Sequence, residues 1–153
     1  MQFIITREQL LKPLQQVCGV LSSRPALPVI NNILLEIEGH RLSLTATDLE
    51  VELTTQAELH EEASGSGKFT IPAKKFLDIC RSLPDDSIIS VQFEEDRALI
   101  RADRSKFNLA TLPASDYPNL MDWKPEVDFS IEQATLARLI DSTQFSMANQ
   151  DAR

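Results

Sequence analysis

The sequence predicts an α+β fold built from a repeated β-α-β-β-β unit, and three observations carry that expectation. Phe-x-Ile occurs at Phe3–Ile5, Phe69–Ile71 and Phe129–Ile131. Each phenylalanine is followed seven residues later by a large apolar residue, Leu10, Phe76 or Leu136, and four further on by Leu14, Cys80 or Ile140. After the first two of these segments come three short runs of alternating apolar and polar residues, the period-two signature of strands. Repetition at a fixed spacing is settled before any single motif is read. Here the spacing is 66 and then 60 residues, measured between the phenylalanines.

Taken in order, Thr6 with Gln9 forms a capping box, and Leu10, Leu11, Leu14, Val17, Cys18 and Leu21 fall on one helical stripe. Pro13 interrupts that stripe and is expected to kink the helix, because an interior proline removes a backbone hydrogen bond. Ser22–Pro28 reads as a loop. Strands are expected at Ile33–Ile37, Leu42–Ala46 and Leu49–Leu53, with turns at Gly39-His40 and Thr47-Asp48. Ala63–Gly67 is a flexible connection to the second unit. There Pro72 fits a first helical turn, and Phe76, Leu77, Ile79, Cys80 and Leu83 form the buried stripe. Strands follow at Ile88–Phe93, Ala98–Ile100 and Ser105–Thr111. Leu112–Leu120 is a link, and the domain boundary is placed at Glu126, giving a domain of two units over 1–126. Residues 127–153 hold the strand and helix of a third unit without its hairpins, as expected of the opening of a second domain in a longer chain.

The chain has 153 residues, 42% of them hydrophobic, which suffices for a packed core in one domain and a stub. It has no apolar run near the length of a membrane span and no basic-then-apolar leader, so a soluble cytoplasmic protein is expected. A disulfide between Cys18 and Cys80 is conceivable; two reduced core thiols are the reading that this compartment favours.

The formal net charge is −8, which at first opposes a nucleic-acid partner. The distribution weakens that objection. From Asn32 to Glu62 eight acids face Arg41 alone, whereas Lys74, Lys75 and Arg81 face only Asp78 in the second helix, and Arg7 and Lys12 only Glu8 in the first. The strands are acidic and the helices mildly basic. His40 and His60 have no third ligand at metal spacing, and no nucleophile stands beside them. Glu50 and Glu52 read as a solvated strand face rather than a catalytic pair. No phosphate loop, metal cluster or cofactor motif is present in the sequence.

At Leu10-Leu11-Lys12-Pro13-Leu14-Gln15-Gln16-Val17, Arg24-Pro25-x-Leu27-Pro28, Leu42-Ser43-Leu44-Thr45-x-Thr47-Asp48-Leu49-Glu50, Phe76-x-Asp78-Ile79-Cys80-Arg81, Leu112-Pro113-Ala114 and Thr143-Gln144-Phe145-Ser146-Met147-Ala148, the chain resembles the bacterial β sliding clamps, the processivity subunits of DNA polymerase III. The likeness runs over the whole chain. It implies the DNA-clamp fold: a homodimeric ring, three domains per subunit, helices lining the hole around double-stranded DNA and antiparallel sheets outside. It implies contacts with DNA polymerase III and the clamp loader through a cleft of which only the margin, around Arg153, falls here.

Carried over residue by residue, the resemblance places DNA contacts at Arg24, Lys74 and Gln150, with Gly67 close by. Lysine at 74 keeps the charge of the arginine that relatives can carry but not its planar fork. Arg7, Lys12, Arg81 and Arg138 are weaker candidates from their helical positions, and for each an ordinary solvated helix charge is the favoured reading. The resemblance places the subunit interface on strand 105–111 and its hairpin, with Phe107 and Leu109 as apolar centre and Arg97, Arg104 and Lys106 facing acids of a partner. From the residues alone Phe107 and Leu109 can instead face the core, but an edge strand exposing backbone groups and two apolar side chains is a liability, which favours pairing across subunits. Two other functions stay open: a peptide-binding β module without a DNA role, and a small hydrolase using Asp48 or Glu50.

Overall fold

Strand β1 (Gln2–Thr6) hands over to helix α1 (Arg7–Cys18) at Thr6, and the side chain of Thr6 makes the turn. In this computed structural model, which describes residues 1–21, 27–118, 127 and 129–147, Thr6 Oγ1 accepts from the Gln9 backbone N–H at 3.3 Å. Gln9 Oε1 accepts from the Thr6 N–H at 3.5 Å, completing the capping box. Two donors that a helix start leaves free are thereby satisfied. Leu10, Leu14 and Val17 are buried. The helix continues through Pro13 and stops at Cys18, so Leu21 packs on the core from beyond its end.

The chain then forms β2 (Asn32–Glu38), β3 (Arg41–Thr47) and β4 (Glu52–Glu58). The strand expected over Leu49–Leu53 is displaced. Asp48 Oδ1 accepts from the backbone N–H groups of Glu50 (3.0 Å) and Val51 (2.8 Å), and Thr47 Oγ1 donates to the Val51 carbonyl at 2.8 Å. Leu49 takes φ 80°. Short polar side chains that bond nearby backbone outcompete alternation here, so Glu50 sits in the turn and only Glu52 in the strand.

The second unit comprises β5 (Gly67–Pro72), α2 (Ala73–Ser82), β6 (Ile88–Glu94), β7 (Arg97–Ala102) and β8 (Ser105–Ala110). Pro72 is the last residue of β5 and the N-cap of α2, one position before the expected first turn.

The strands pair in two antiparallel four-stranded sheets, ordered β1-β6-β7-β8 and β4-β3-β2-β5. Each unit therefore lends its first strand to the other unit's sheet. Phe3 lies opposite Val91 and Ile5 opposite Ile89; Ile33 lies opposite Ile71 and Leu35 opposite Phe69. Alternation aims these residues to one side of each sheet, and they merge with the helical stripes into one core drawn from both units. Helix α1 lies against β3 and β4, α2 against β2 and β5, and the helices pack on each other.

A smaller cluster of Val29, Ile30 and Tyr117, with Leu34, sits apart from this core. The Tyr117 hydroxyl donates to the Thr45 carbonyl at 3.2 Å, and burial raises its pKa to about 12. Buried Thr70 Oγ1 accepts from Asn32 Nδ2 (2.9 Å) and the Leu112 N–H (3.0 Å) and donates to the Leu112 carbonyl (2.7 Å). These bonds fasten the segment after β8 to the β2-β5 edge of the second sheet.

The chain divides into two compact units, Met1–Leu120 and Met121–Arg153. In the second, α3 (Gln133–Thr143) forms as the repeat predicts, with Leu136, Leu139 and Ile140 exposed. The strand expected at Phe129–Ile131 does not form. A strand needs a ladder partner for its backbone groups, and the described residues provide none.

Candidate nucleic-acid interface

The apolar stripes of α1 and α2 face inward, which forces their other residues out. Lys12, Gln15 and Gln16 of α1 and Lys74, Lys75, Asp78 and Arg81 of α2 are exposed. Contacts at both ends fix the direction of the pair. Arg7, at the start of α1, meets Cys80 near the end of α2, and Cys18, at the end of α1, contacts the Ala73 carbonyl at the start of α2 at 3.9 Å. The helices are antiparallel. Among the described residues, Lys12, Lys74, Lys75 and Arg81 form no ion pair. Long cationic side chains with no acid to hold them remain available to a polyanion. Lys75 stands beside Lys74 on the same exposed turn, outside the Phe76–Cys80 stripe.

Arg7 does not belong to this open set. Its Nε donates to the Cys80 carbonyl at 2.9 Å, Nη1 pairs with Asp85 Oδ1 at 2.5 Å, and its side chain is 15% exposed. Gly67 opens β5, where a Cβ would come within 3.0 Å of the Phe69 ring; Phe69 stacks on Phe93 with centroids 4.2 Å apart. A side chain at 67 would crowd that ring. Arg138 is exposed on α3 in the second unit. Arg24, Gln150 and Arg153 lie outside the described residues.

Strand β8 is the free edge of its sheet. Arg97, Arg104 and Lys106 are exposed there, and Arg97 pairs with Asp96 at 3.1 Å. Of the apolar pair expected to centre the interface, Leu109 is buried and Phe107 half-buried in the single chain. Leu109 lies opposite Ala98 and Phe107 opposite Ile100, so parity turns both inward. Leu109 is 8% exposed within the core, and Phe107 packs against it. What the edge leaves open is unpaired backbone and positive charge. Arg101 adds to that charge, directly opposite Lys106 in the ladder; its signal is the register, which sequence alternation alone does not supply.

The residues weighed for catalysis are absorbed elsewhere. Asp48 is held ionised by the Val51 and Glu50 N–H groups, which lower its pKa, and its carboxylate serves the turn. The His40 ring nitrogen Nδ1 lies 3.3 Å from the Leu59 carbonyl. Cys18 and Cys80 are free thiols, and burial raises them to about 11 and about 12, well away from the thiolate that nucleophilic chemistry requires. Among the described residues no cluster of His, Cys, Asp or Glu is placed to hold a metal. No helix among them is long and apolar enough to cross a membrane.

This architecture, with paired β-α-β-β-β units exchanging strands around one core, is matched by known proteins. Residues 1–121 match the family described as DNA polymerase III beta subunit, N-terminal domain. The chain belongs to this family. It is 67% identical over its full length to the beta sliding clamp of Haemophilus influenzae, covering 42% of that protein. It is 54% identical to a beta sliding clamp sequence from Vibrio harveyi, covering 95% of this chain and all of that sequence. A crystal structure of the DnaN sliding clamp of Pseudomonas aeruginosa bound to griselimycin superposes with a TM-score of 0.94 at 51% identity, over 99% of this chain and 41% of that one. The fold is therefore the clamp fold, and the chain spans about two fifths of the length of most of these relatives.

Proposed function

We propose that this chain is part of a sliding clamp: 1–126 as its first domain and 127–153 as the opening of its second, in a ring of two subunits around duplex DNA. The clamp is a processivity factor without catalysis of its own, works in the cytoplasm, and tethers DNA polymerase III to the template after a clamp loader has closed it. The observation that carries this reading is the separation of charge. Cations without ion-pair partners among the described residues stand on the antiparallel helices, and most of the acids between Asn32 and Glu62 stand on strands and turns.

A ring whose lining carries a few mobile cations holds a polyanion by sequence-independent, readily exchanged contacts. Linkage by closure then prevents loss while weak contacts permit movement. The basic free edge of β8 supports a neighbouring subunit as the second partner, since an exposed edge otherwise invites unwanted pairing.

The test is retention of the intact clamp on nicked circular against linear DNA after assisted loading. Retention on the circle with run-off from the linear form is expected. Equal loss from both sinks topological linkage and returns the fold to a protein-binding module. In the same assay Lys74→Ala lowers the slope of log affinity against log salt by about 0.9 or less, the value for one neutralised phosphate.

A further inference from the structure

We propose that Arg7 is a positioning residue for the duplex-facing helix pair, setting the spacing between the cation of α1 and those of α2 without touching DNA itself. The proposal rests on the DNA-encircling reading above.

The two ends of the helix pair are fastened unequally. At one end, among the described residues, the polar contact between the helices is the 3.9 Å approach of Cys18 Sγ to the Ala73 carbonyl. At the other, Arg7 makes a three-way clasp. Its backbone N–H donates to the Ser87 carbonyl at 2.9 Å, its Nε to the Cys80 carbonyl, and its Nη1 to Asp85. The Cys80 carbonyl lies in the last turn of α2, where helix geometry leaves acceptors without intrahelical donors. A guanidinium there also opposes the negative end of the helix dipole. One side chain of α1 thus completes the C-terminus of α2 and ties it to the loop that follows.

The clasp is adjacent to the surface cations. Arg81 follows Cys80 directly, and Lys12 lies five residues from Arg7, about 7.5 Å along α1 at the rise of an α-helix. Freed from Arg7, the end of α2 is the part of the pair with the fewest other polar ties to α1. The planar fork matters: lysine has a point charge and cannot serve the carbonyl and the carboxylate in the same geometry.

The intact clamp is tested with Arg7→Gln, Arg7→Lys, Lys74→Ala, Arg81→Ala and the combination of Arg7→Gln with Arg81→Ala, in DNA binding across a salt series. Arg7→Gln is expected to weaken binding several-fold with little change in salt slope, and Arg7→Lys is expected not to rescue it. The fold-loss from Arg81→Ala, next to the clasp, is expected to shrink by about twofold or more in the Arg7→Gln background, the coupling seen between neighbouring sites. Effects that simply multiply make Arg7 a structural tie only and overturn the proposal. A slope lowered by about 0.9 in Arg7→Gln and restored by Arg7→Lys makes it a phosphate contact, which also overturns it. An unchanged slope in Lys74→Ala defeats the DNA reading itself, independently of Arg7. Asp85→Asn, which removes only the ion pair to an 82% exposed carboxylate, gives the same readout with a smaller effect and stands in if Arg7→Gln does not fold.

Discussion

Helices α1 and α2 occupy equivalent places in the two repeats, yet they begin in opposite ways. The first starts with a threonine that caps it and an arginine turned inward to the other helix. The second starts at a proline that offers no side-chain cap and carries Lys74 and Lys75 outward in its first turn. The same contrast runs through the sheets. Residues 1–66 carry a formal charge of −5 and residues 67–126 of −1. Strand β4 ends its sheet with Glu52 and Glu58, whereas β8 ends the other with Lys106 beside Arg101. Duplication has kept the buried positions apolar and let the surfaces diverge, because the core tolerates only apolar residues of suitable volume while solvent-facing sites are nearly free. Function is accordingly to be sought where the repeats differ.

The most severe test of this comparison is whether the repeats fold as one body. Leu10 and Phe76 are equivalent and both fully buried; each substitution to alanine is expected to cost about 2–5 kcal/mol. Since β1 and β5 are exchanged between the units, either change is expected to lower the midpoint of a single urea transition without splitting it. Two transitions, one for each repeat, break the picture of a shared core.

A smaller effect sharpens the contrast at the helix starts. Thr6→Ala removes the cap of α1 and is expected to cost about 1 kcal/mol, read as a shifted midpoint. Pro72→Ala removes no cap bond at α2 and is expected to lack that loss; equal losses at both starts abolish the asymmetry.

The smallest effect concerns the turns. Asp48 has a folded pKa below its ordinary 3.8 because it accepts from Val51 and Glu50. A depressed carboxylate contributes stability above its unfolded pKa and loses it as the pH falls through the folded value. Asp48→Asn keeps an oxygen for the turn and removes the titration, so the acid limb of its stability curve is expected to flatten below about pH 4. The second repeat joins β7 to β8 through Asp103 and Arg104, without this carboxylate-capped turn. An unaltered acid limb in Asp48→Asn assigns the turn's stability to Thr47 alone.

Much of this molecule was legible locally. The capping box at Thr6, the stripes of both helices, the turn at Gly39 and the strands β2, β3, β6 and β8 follow from spacing and residue type. Of the candidate site, the exposure of Lys74 follows from its place outside the stripe, whereas the carbonyl and carboxylate that hold Arg7 lie far along the chain and leave no local signal. The start of β4 falls later than alternation suggests, because a turn held by Thr47 and Asp48 leaves its apolar residues, Leu49 and Val51, in an alternating pattern that mimics a strand.

By itself the sequence determined the repeat, the alternation that makes each strand two-faced, and the amphipathic helices that leave cations outside. Those are consequences of neighbours within a few residues, where backbone geometry sets which side chains share a face. Only the tertiary structure decided that β1 joins β6 and β5 joins β2, that Phe107 and Leu109 turn inward, and that Arg7 reaches Cys80. Each of these is a choice among partners far apart in the chain. Local periodicity says that a strand needs a partner, and only the packing of the common core determines which one it takes.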